Sequence, residues 1–235
     1  MLFPMPLNSL SYRGVAYNQV NKWPNGIIPY DISAITNAAD RLMIENAMQH
    51  IMYDTGSPIA NSVSRNRCVH FRPRLGSDTT YLTIVYGQGC NAHVGYYPKY
   101  ALKLTLQKDA QGNCFTNGVI QHELLHVLGF KHEHSRPDRD NYVQINYANI
   151  DSQWAIDNKQ DIHYAFDKQV WGTTAVDLKT NYDYGSIMHY GRDYFSKNGL
   201  PTIVPKQDNV QIGNREKLSP TDILEVRRFY GCQAY

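Results

Sequence analysis

The chain has 235 residues, of which 42% are hydrophobic and 19% are charged, and its formal net charge is +2. This composition predicts a globular protein with one sizeable core or two small lobes, and it excludes an intrinsically disordered chain. The small net charge and the lack of long basic or apolar runs give no basis for a nucleic-acid-binding or a membrane-spanning protein.

Residues 1–13 carry no recognisable targeting signal. They contain two prolines, one arginine and no long apolar run, which is not the pattern of a secretory signal peptide. The sequence therefore indicates either a cytosolic protein or one whose targeting segment has already been removed.

The first predicted elements are a strand and a helix. A turn signal at 23–26 precedes a short strand at 27–30. Residues 36–54 repeat apolar side chains at i, i+3, i+4 and i+7, which predicts an amphipathic helix that Gly56 ends. Three further runs have the composition or the alternation of strands: 68–72, 81–86 and 102–106.

The cysteines bear on the compartment of the protein. There are four: Cys68, Cys90, Cys114 and Cys232. No two of them form a C-x-x-C pair, which excludes a zinc ribbon and a thioredoxin-type site. An even number of widely spaced cysteines favours two disulfides in a secreted protein, and four reduced, buried thiols are the alternative. All three possible pairings stay open at this point.

A second helix is predicted at 118–129, and its apolar residues lie almost all round it, which is typical of a buried helix. It nevertheless carries His122, Glu123 and His126. Residues four apart share one helix face, so both imidazoles can reach one ion, and Glu123 can point at a metal-bound water. The alternative is a buried helix whose histidines have hydrogen-bond partners in the core.

The residues after this helix complete a metal-binding pattern. Gly129 can adopt a positive φ, so the chain can turn back and bring His132 to the same ion. The full spacing HExxHxxGxxH is the signature of the metzincin zinc peptidases. Three imidazoles leave one open position on a tetrahedral Zn²⁺, which predicts a single catalytic zinc.

The last part of the chain is predicted to be an irregular stretch followed by one helix. Residues 133–215 are polar and weakly periodic, which predicts loops and short elements. A final helix is predicted to begin with Ser219 as N-cap and Pro220 at the first helical position. Gly231 can end it.

A second motif, YGSIMHY at 184–190, points to a family. This motif and the segment 122–140 strongly resemble the astacin metalloproteases, and the resemblance extends over 23–232. Glu133, directly after the third histidine, separates astacins from other metzincins, as does Tyr190, two residues after the methionine of the second motif.

The resemblance implies roles for residues near the zinc. Met188 would form a hydrophobic floor under the three histidine ligands. Tyr190 would be a fifth, weak zinc ligand that leaves the metal when substrate binds and then stabilises the oxyanion. Glu133 would pair with the freed ammonium of Gly14, the expected first residue of the mature chain, and a salt bridge to a nearby arginine is the alternative.

The resemblance also bears on maturation and disulfides. The implied disulfides are Cys68–Cys232 and Cys90–Cys114. Astacins are made as proenzymes, so residues 1–13 would be a remnant of a pro-segment or a non-native extension, followed by a catalytic domain at 14–235.

Substrate contacts are implied at two places. The segment 81–91 resembles an edge strand that pairs with an extended substrate, and its last residues are substrate-binding candidates: Gly89, Cys90 and Asn91. Arg215, in the loop before the last helix, would favour an acidic residue just after the scissile bond. The alternative is that Arg215 pairs with a neighbour and faces solvent.

Together these observations predict an α+β fold with two lobes, 14–131 and 132–235. The first lobe would hold a twisted, mostly antiparallel sheet and two long helices, and the second would be irregular with one terminal helix. The predicted function is that of a secreted zinc endopeptidase that hydrolyses peptide bonds of extracellular proteins through a metal-activated water, with Glu123 as general base.

The expected partners are protein or peptide substrates, and neither nucleic acid nor a membrane. Two alternatives belong to other classes: a catalytically silent binding module with the same fold, and a cytosolic enzyme of another zinc clan. Glu123 argues against the first, and His132 and the cysteines argue against the second. The sequence makes no prediction of oligomeric state.

Overall fold

A computed structural model describes residues 22–59, 62–151 and 163–232. The predicted remnant 1–13 and Gly14 lie outside these residues. The chain divides into two compact units: among the described residues, those within Lys131–Asn214 form one, and the other joins 22–130 to 215–232. Among the described residues, no helix has the length and apolar character needed to cross a membrane.

The described residues contain four α-helices and eleven β-strands. The helices are α1 (Ala38–Thr55), α2 (Asn117–Leu128), α3 (His163–Phe166) and α4 (Pro220–Tyr230). The strands are β1 (Ile27–Asp31), β2 (Ser57–Pro58), β3 (Arg65–Asn66), β4 (His70–Pro73), β5 (Leu82–Tyr86), β6 (Cys90–Ala92), β7 (Leu102–Leu106), β8 (Lys108–Asp109), β9 (Gly112–Asn113), β10 (Val143–Ile145) and β11 (Ile203–Pro205).

The main sheet has five strands in the order β4-β1-β5-β7-β6. The prediction of a mostly antiparallel sheet is wrong, because strand β1 runs parallel to β4 and β5, and β5 runs parallel to β7. Only the edge strand β6 is antiparallel to its neighbour, β7. Helix α1 explains part of this difference: it crosses over between β1 and β4, and such a crossover returns the chain to the same end of the sheet.

Helix α1 forms as its sequence predicts. Asn37 caps it, since its side-chain oxygen accepts hydrogen bonds from the backbone N–H groups of Ala39 at 2.9 Å and Asp40 at 3.2 Å. The apolar stripe found in the sequence is buried: Ile44, Ala47, Met48 and Ile51. Helix α1 contacts α2 and strand β4 of the main sheet, and all three belong to the same unit.

Helix α4 belongs to the same unit as the main sheet, whereas the sequence analysis assigned it to the second lobe. A disulfide joins Cys68, just before β4, to Cys232, just after α4. The rings of Phe130 and Phe229 also meet edge to face, with centroids 5.5 Å apart. These covalent and apolar contacts account for the grouping, which no periodicity in the sequence reveals.

The unit formed by Lys131–Asn214 consists mainly of turns and short elements, with the antiparallel pair β10 and β11. Its core is an apolar and aromatic cluster: Val143, Ile150, Phe166, Tyr182, Tyr190 and Ile203. Buried Arg139 donates hydrogen bonds to the backbone carbonyls of His134 at 3.0 Å and Phe166 at 2.6 Å. Such bonds satisfy the carbonyl groups of irregular backbone that no ladder or helix can pair.

Candidate active site

Helix α2 buries the three polar side chains of the sequence motif among apolar residues. His122, Glu123 and His126 are 5%, 4% and 6% exposed. The two imidazole rings lie one helical turn apart, nearly perpendicular, with centroids 4.8 Å apart. A buried helix therefore presents two potential nitrogen ligands and a carboxylate on neighbouring positions.

The end of α2 fixes the orientation of His126. Gly129 has φ of +107°, in the left-handed region, and its N–H bonds back to His126 O and Leu125 O. The following turn places the carbonyl of Phe130 2.7 Å from His126 Nδ1. A carbonyl oxygen can only accept, so Nδ1 carries the proton and Nε2 is the nitrogen that can coordinate a metal.

Two aromatic side chains from distant parts of the chain complete this helix end. Trp23 Nε1 donates to the carbonyl of Val127 at 2.8 Å, and the Tyr230 hydroxyl donates to the carbonyl of Leu128 at 2.8 Å. The last carbonyls of a helix have no intrahelical partner, so these bonds hold the end of α2 and the turn that follows.

The eleven-residue segment from His122 to His132 brings three ligands together. The candidate ligand atoms of His122, His126 and His132 all lie within 4.8 Å of one another. Neutral imidazole nitrogen is a favoured zinc donor, and three histidines with an open fourth position are typical of catalytic zinc. The donor set therefore fits one Zn²⁺ ion.

Glu123 supplies an independent test of this fit. Burial raises its pKa to about 8, and the positive charge of Arg215 partly offsets that effect. Among the described residues, its Oε2 atom is buried without a hydrogen-bond partner. An ionised carboxylate in such a place needs compensation, and a divalent cation with its water provides it beside the histidines.

The second sequence motif forms a tight turn in the unit Lys131–Asn214. Ser186 Oγ accepts the backbone N–H of Met188 at 3.0 Å, and Met188 is buried. The N–H of Glu133 donates to the Met188 carbonyl at 3.0 Å. The turn is thus tied by the backbone to the residue that follows His132.

Tyr190 lies beside the third histidine. Its ring centroid is 4.3 Å from that of His132 and 4.1 Å from that of His134. The side chain is 8% exposed and belongs to the aromatic core of its unit. Packing on several sides fixes the ring near the metal-ligand segment.

Glu133 is almost completely buried and forms two kinds of contact. Its Oε1 atom lies 3.4 Å from Arg136 Nη1 and accepts the backbone N–H of Asp183 at 2.8 Å. The arginine alternative of the sequence analysis is thus present in the structure. The expected pairing with Gly14 lies outside the described residues.

The edge strand β6 exposes alternate backbone groups. Gln107 N donates to Gly89 O at 3.1 Å, and His93 N donates to Lys103 O at 3.0 Å. Opposite residues of an antiparallel pair alternate between hydrogen-bonded and non-bonded, so Gly89, Asn91 and His93 face β7. The backbone groups between them therefore point away from β7, at two positions: Cys90 and Ala92.

Of the three edge-strand candidates from the sequence, only Cys90 has backbone groups that point away from β7. Ala92, which was not a candidate, has the same orientation. The family motif alone does not indicate Ala92, whereas the two-residue period of a strand does. Cys90 is also held by a disulfide to Cys114, the second of the two implied pairs.

Arg215 lies against the first turn of α2. An ideal Cβ atom on Gly118 would stand 1.8 Å from the carbonyl oxygen of Arg215, so only glycine permits this backbone approach. The charge of Arg215 also reaches Glu123, as the pKa of that carboxyl shows. No sequence pattern singles out Gly118, since a glycine in a helix has no signal of its own.

Comparison with known proteins agrees with this geometry. A family model, described as the peptidase family Astacin, matches residues 15–231. The low choriolytic enzyme of Oryzias latipes is 38% identical over 217 residues, which cover 90% of this chain and 69% of that protein. Zinc metalloproteinase nas-15 of Caenorhabditis elegans is 36% identical over 215 residues, covering 92% of this chain and 33% of that protein.

Zinc metalloproteinase nas-13 of Caenorhabditis elegans is 37% identical, and this chain covers 44% of it, so the chain spans less than half of either nematode relative. Among solved structures, the hatching enzyme HCE-1 of Oryzias latipes, a zinc protease, superposes with a TM-score of 0.74 at 34% identity. That match covers 93% of this chain and 96% of the other. Myroilysin, at 20% identity and a TM-score of 0.53, shares the fold. The chain therefore belongs to the astacin family of zinc metallopeptidases.

Proposed function

We propose that this chain is a zinc-dependent endopeptidase that hydrolyses peptide bonds of extracellular proteins, with Glu123 as general base. The observation that carries the proposal is the buried Glu123 carboxylate, whose Oε2 has no hydrogen-bond partner among the described residues, beside three histidines within reach of one ion. Family membership supports the same chemistry.

The residues of the chain divide the reaction between them. When bound, Zn²⁺ lowers the pKa of a coordinated water to about 7 and polarises the scissile carbonyl. Glu123 takes the proton of the attacking water and later delivers it to the leaving amine. The burial of Glu123 supports this role, because burial raises the pKa of its carboxyl and so makes the carboxylate a stronger base.

Tyr190 and Met188 are proposed to assist. The proximity of the Tyr190 ring to His132 supports a hydroxyl that stabilises the oxyanion and serves as an additional, weak metal ligand. Buried Met188, tied through its carbonyl to Glu133, supports an apolar floor that keeps the histidine segment in place.

An extended substrate is proposed to pair with the outward backbone groups of β6. Cys90 and Ala92 offer both donors and acceptors, and an added strand forms main-chain hydrogen bonds that are independent of substrate sequence. Two disulfides support an extracellular location, because such bonds persist in oxidising compartments.

Arg215 is proposed to favour an acidic residue just after the scissile bond. Its backbone packs against Gly118, near the start of α2, and its charge reaches Glu123. A guanidinium can hold a carboxylate with two parallel hydrogen bonds, which a neutral side chain cannot form.

The proposal is tested by removing first the metal and then the base. Phenanthroline should abolish peptide cleavage, and added zinc should restore it. Glu123→Gln should bind zinc and lose at least about 99% of turnover, since general acid–base catalysis contributes roughly 100- to 10,000-fold. Glu45→Gln, a glutamate on α1, is the matched control and should cleave like the parent.

The measurements are metal content by elemental analysis and kcat on a reporter peptide. A Glu123→Gln variant that retains more than a few per cent of parent turnover would show that another group acts as base. A parent that binds zinc and cleaves no peptide would instead favour the silent binding module.

A further inference from the structure

The β6–β7 ladder ends in an unusual way at Gly89. In a regular hydrogen-bonded pair, the N–H of Gly89 would donate to the backbone carbonyl of Gln107. Here that carbonyl accepts from Cys114 N at 2.8 Å, and the N–H of Gly89 donates to the side-chain Oε1 of Gln107 at 2.6 Å. The Gln107 side chain therefore replaces its own main-chain carbonyl.

The Gln107 side chain is itself held in place. Its Nε2 donates to Asp109 Oδ1 at 2.8 Å, and the same carboxylate accepts from Gln111 N and Gly112 N. Gly112 lies so close that an ideal Cβ there would stand 3.2 Å from Gln107 Cδ. The β8–β9 hairpin thus acts as a rigid support for the amide that binds Gly89.

At the other end of the ladder, a side chain again replaces a main-chain carbonyl as acceptor. The N–H of His93 donates regularly to Lys103 O at 3.0 Å. The return bond does not go to the His93 carbonyl: Lys103 N lies 3.0 Å from Nδ1 of the His93 ring, which is also 3.1 Å from Lys103 O. The ring accepts the N–H of Lys103 when Nδ1 carries no proton.

The side chains of Gln107 and His93 bind the two ends of the segment that contains the outward-facing residues. Strand β6 has only three residues, and one hydrogen-bonded pair, Asn91 with Thr105, lies between its two ends. So short an edge strand frays or slips in register unless its ends are held, and a slip of one residue exchanges inward and outward groups. The Cys90–Cys114 disulfide anchors β6 at one position, and Gln107 and His93 hold its two ends, so all three contacts support the outward direction of Cys90 and Ala92.

We propose that Gln107 and His93 are positioning residues for an extended peptide substrate, and that they fix the register in which β6 offers its outer backbone groups. The inference rests on the proposed peptidase function and on the pairing of substrate with β6. Neither side chain contacts the metal ligands in any described contact, so their effect should fall on substrate alignment and not on the chemical step.

The test uses two peptides with the same scissile bond. The long peptide extends about four residues to either side, enough to pair along β6, and the short one is a blocked peptide of about two residues. Gln107→Ala and His93→Ala should each raise KM for the long peptide about three- to ten-fold, the value of one lost hydrogen bond. The effect on the short peptide should be far smaller.

A rescue variant and a control separate positioning from general damage. His93→Asn retains an acceptor at the position of Nδ1 and should recover most of the long-peptide affinity that His93→Ala loses. Gln111→Ala removes a neighbouring side chain of the same hairpin, whose backbone alone bonds to Asp109, and should match the parent on both peptides.

The outcomes also separate this inference from the function beneath it. Parent cleavage of both peptides, with a KM defect confined to the long peptide and recovered by His93→Asn, supports the positioning role. Equal losses on both peptides, or no loss on either, overturn it while the peptidase function stands. A zinc-loaded parent that cleaves neither peptide overturns the function and the inference together.

Discussion

At the residue scale, the position of the Arg215 backbone depends on the absence of a Cβ atom at Gly118. An ideal Cβ atom on residue 118 would stand 1.8 Å from the carbonyl oxygen of Arg215, so the chain can approach this closely only because residue 118 is glycine. The arginine is thereby held at the start of the helix that carries Glu123, whose pKa it lowers against the larger effect of burial. The close backbone approach at Gly118 thus places the Arg215 backbone near the start of the helix that carries the candidate base.

A peptide pair tests the proposed role of Arg215. The two peptides differ only in Asp or Ala just after the cleaved bond, and the parent should prefer Asp by roughly ten- to a hundred-fold, or about 1.5–3 kcal/mol, because a charge-assisted pair forms. Arg215→Ala should abolish the preference, as measured by the ratio of kcat/KM values.

Lys217→Ala removes a cation two residues further along and is the control, which should retain the preference. Unchanged selectivity in Arg215→Ala would assign specificity to another residue, and a parent preference for Ala would contradict the proposal directly.

A second single-residue prediction concerns pH. Arg72 forms two hydrogen bonds to Asp78, at 2.7 and 2.8 Å, which with the backbone N–H of Leu75 lower the pKa of Asp78 to about 2. A depressed pKa stabilises the fold above the unfolded value near 3.8, and this contribution disappears as the pH falls through about 2.

Asp78→Asn should therefore lower the melting temperature slightly at pH 6, and its difference from the parent should shrink steadily as the pH falls from about 4 to about 2. Asp208→Asn, at an exposed residue with no ion pair among the described side chains, should leave the melting temperature unchanged. A deficit of Asp78→Asn that persisted unchanged at pH 2 would exclude the ion pair as its cause.

At the element scale, helix α2 combines what the sequence predicts well with what it cannot. The spacing of His122, His126 and His132 and the turn at Gly129 predicted that the three imidazoles lie together, because both follow from the period of a helix and from local φ. The contact between Gly118 and the chain nearly a hundred residues later is non-local, and no local pattern encodes it.

Substitution of Gly118 measures that contact. Alanine favours a helix over glycine by about 0.5–1 kcal/mol, whereas overpacking costs about 1–3 kcal/mol, and here the obstacle is backbone that cannot rotate away. Gly118→Ala should therefore reduce the free energy of unfolding by about 1–2 kcal/mol, as measured with urea.

Gly76→Ala is the matched control, since nothing lies within 4 Å of its ideal Cβ, and its effect should stay within about 0.5 kcal/mol. A Gly118→Ala variant as stable as the parent would show that the chain around Arg215 yields easily.

Strand directions show a second limit of sequence analysis. Composition correctly predicted a strand at β5 and alternation correctly predicted one at β7, but neither signal contains information on direction, and the two strands are parallel neighbours in the sheet. Strand β6 has only three residues, too short for periodicity, and its place came from a family resemblance. Its two end contacts, at Gln107 and His93, involve side chains, which strand patterns ignore.

At the scale of the whole molecule, one compact unit is discontinuous in sequence. The chain from Arg215 onward returns to the unit that ends at Phe130, and the Cys68–Cys232 disulfide secures the return. The predicted fold class, α+β with an irregular second part, agrees with the HCE-1 structure. Contiguous lobes were the simplest division of the sequence, and only three-dimensional contacts reveal the return of α4.

The two disulfides should contribute unequally to stability. Their cysteines are separated by 164 residues in Cys68–Cys232 and by 24 in Cys90–Cys114, so the chain-entropy model gives about 5 and about 3.5 kcal/mol. Replacing both cysteines of the first pair by alanine should therefore cost about 1.5 kcal/mol more than replacing both of the second, as measured by denaturant unfolding. The opposite order would show that native contacts outweigh loop entropy.

The same long disulfide imposes an order of events during synthesis. At about 5–20 residues per second, Cys232 follows Cys68 after roughly 8–33 s, whereas Cys114 follows Cys90 within a few seconds. Cys68 must remain a thiol throughout that interval, while Cys90 and Cys114 are both available as wrong partners. Early closure of the short pair removes that competition, so the nascent chain avoids mispairing when the local disulfide forms first and the terminal helix docks last.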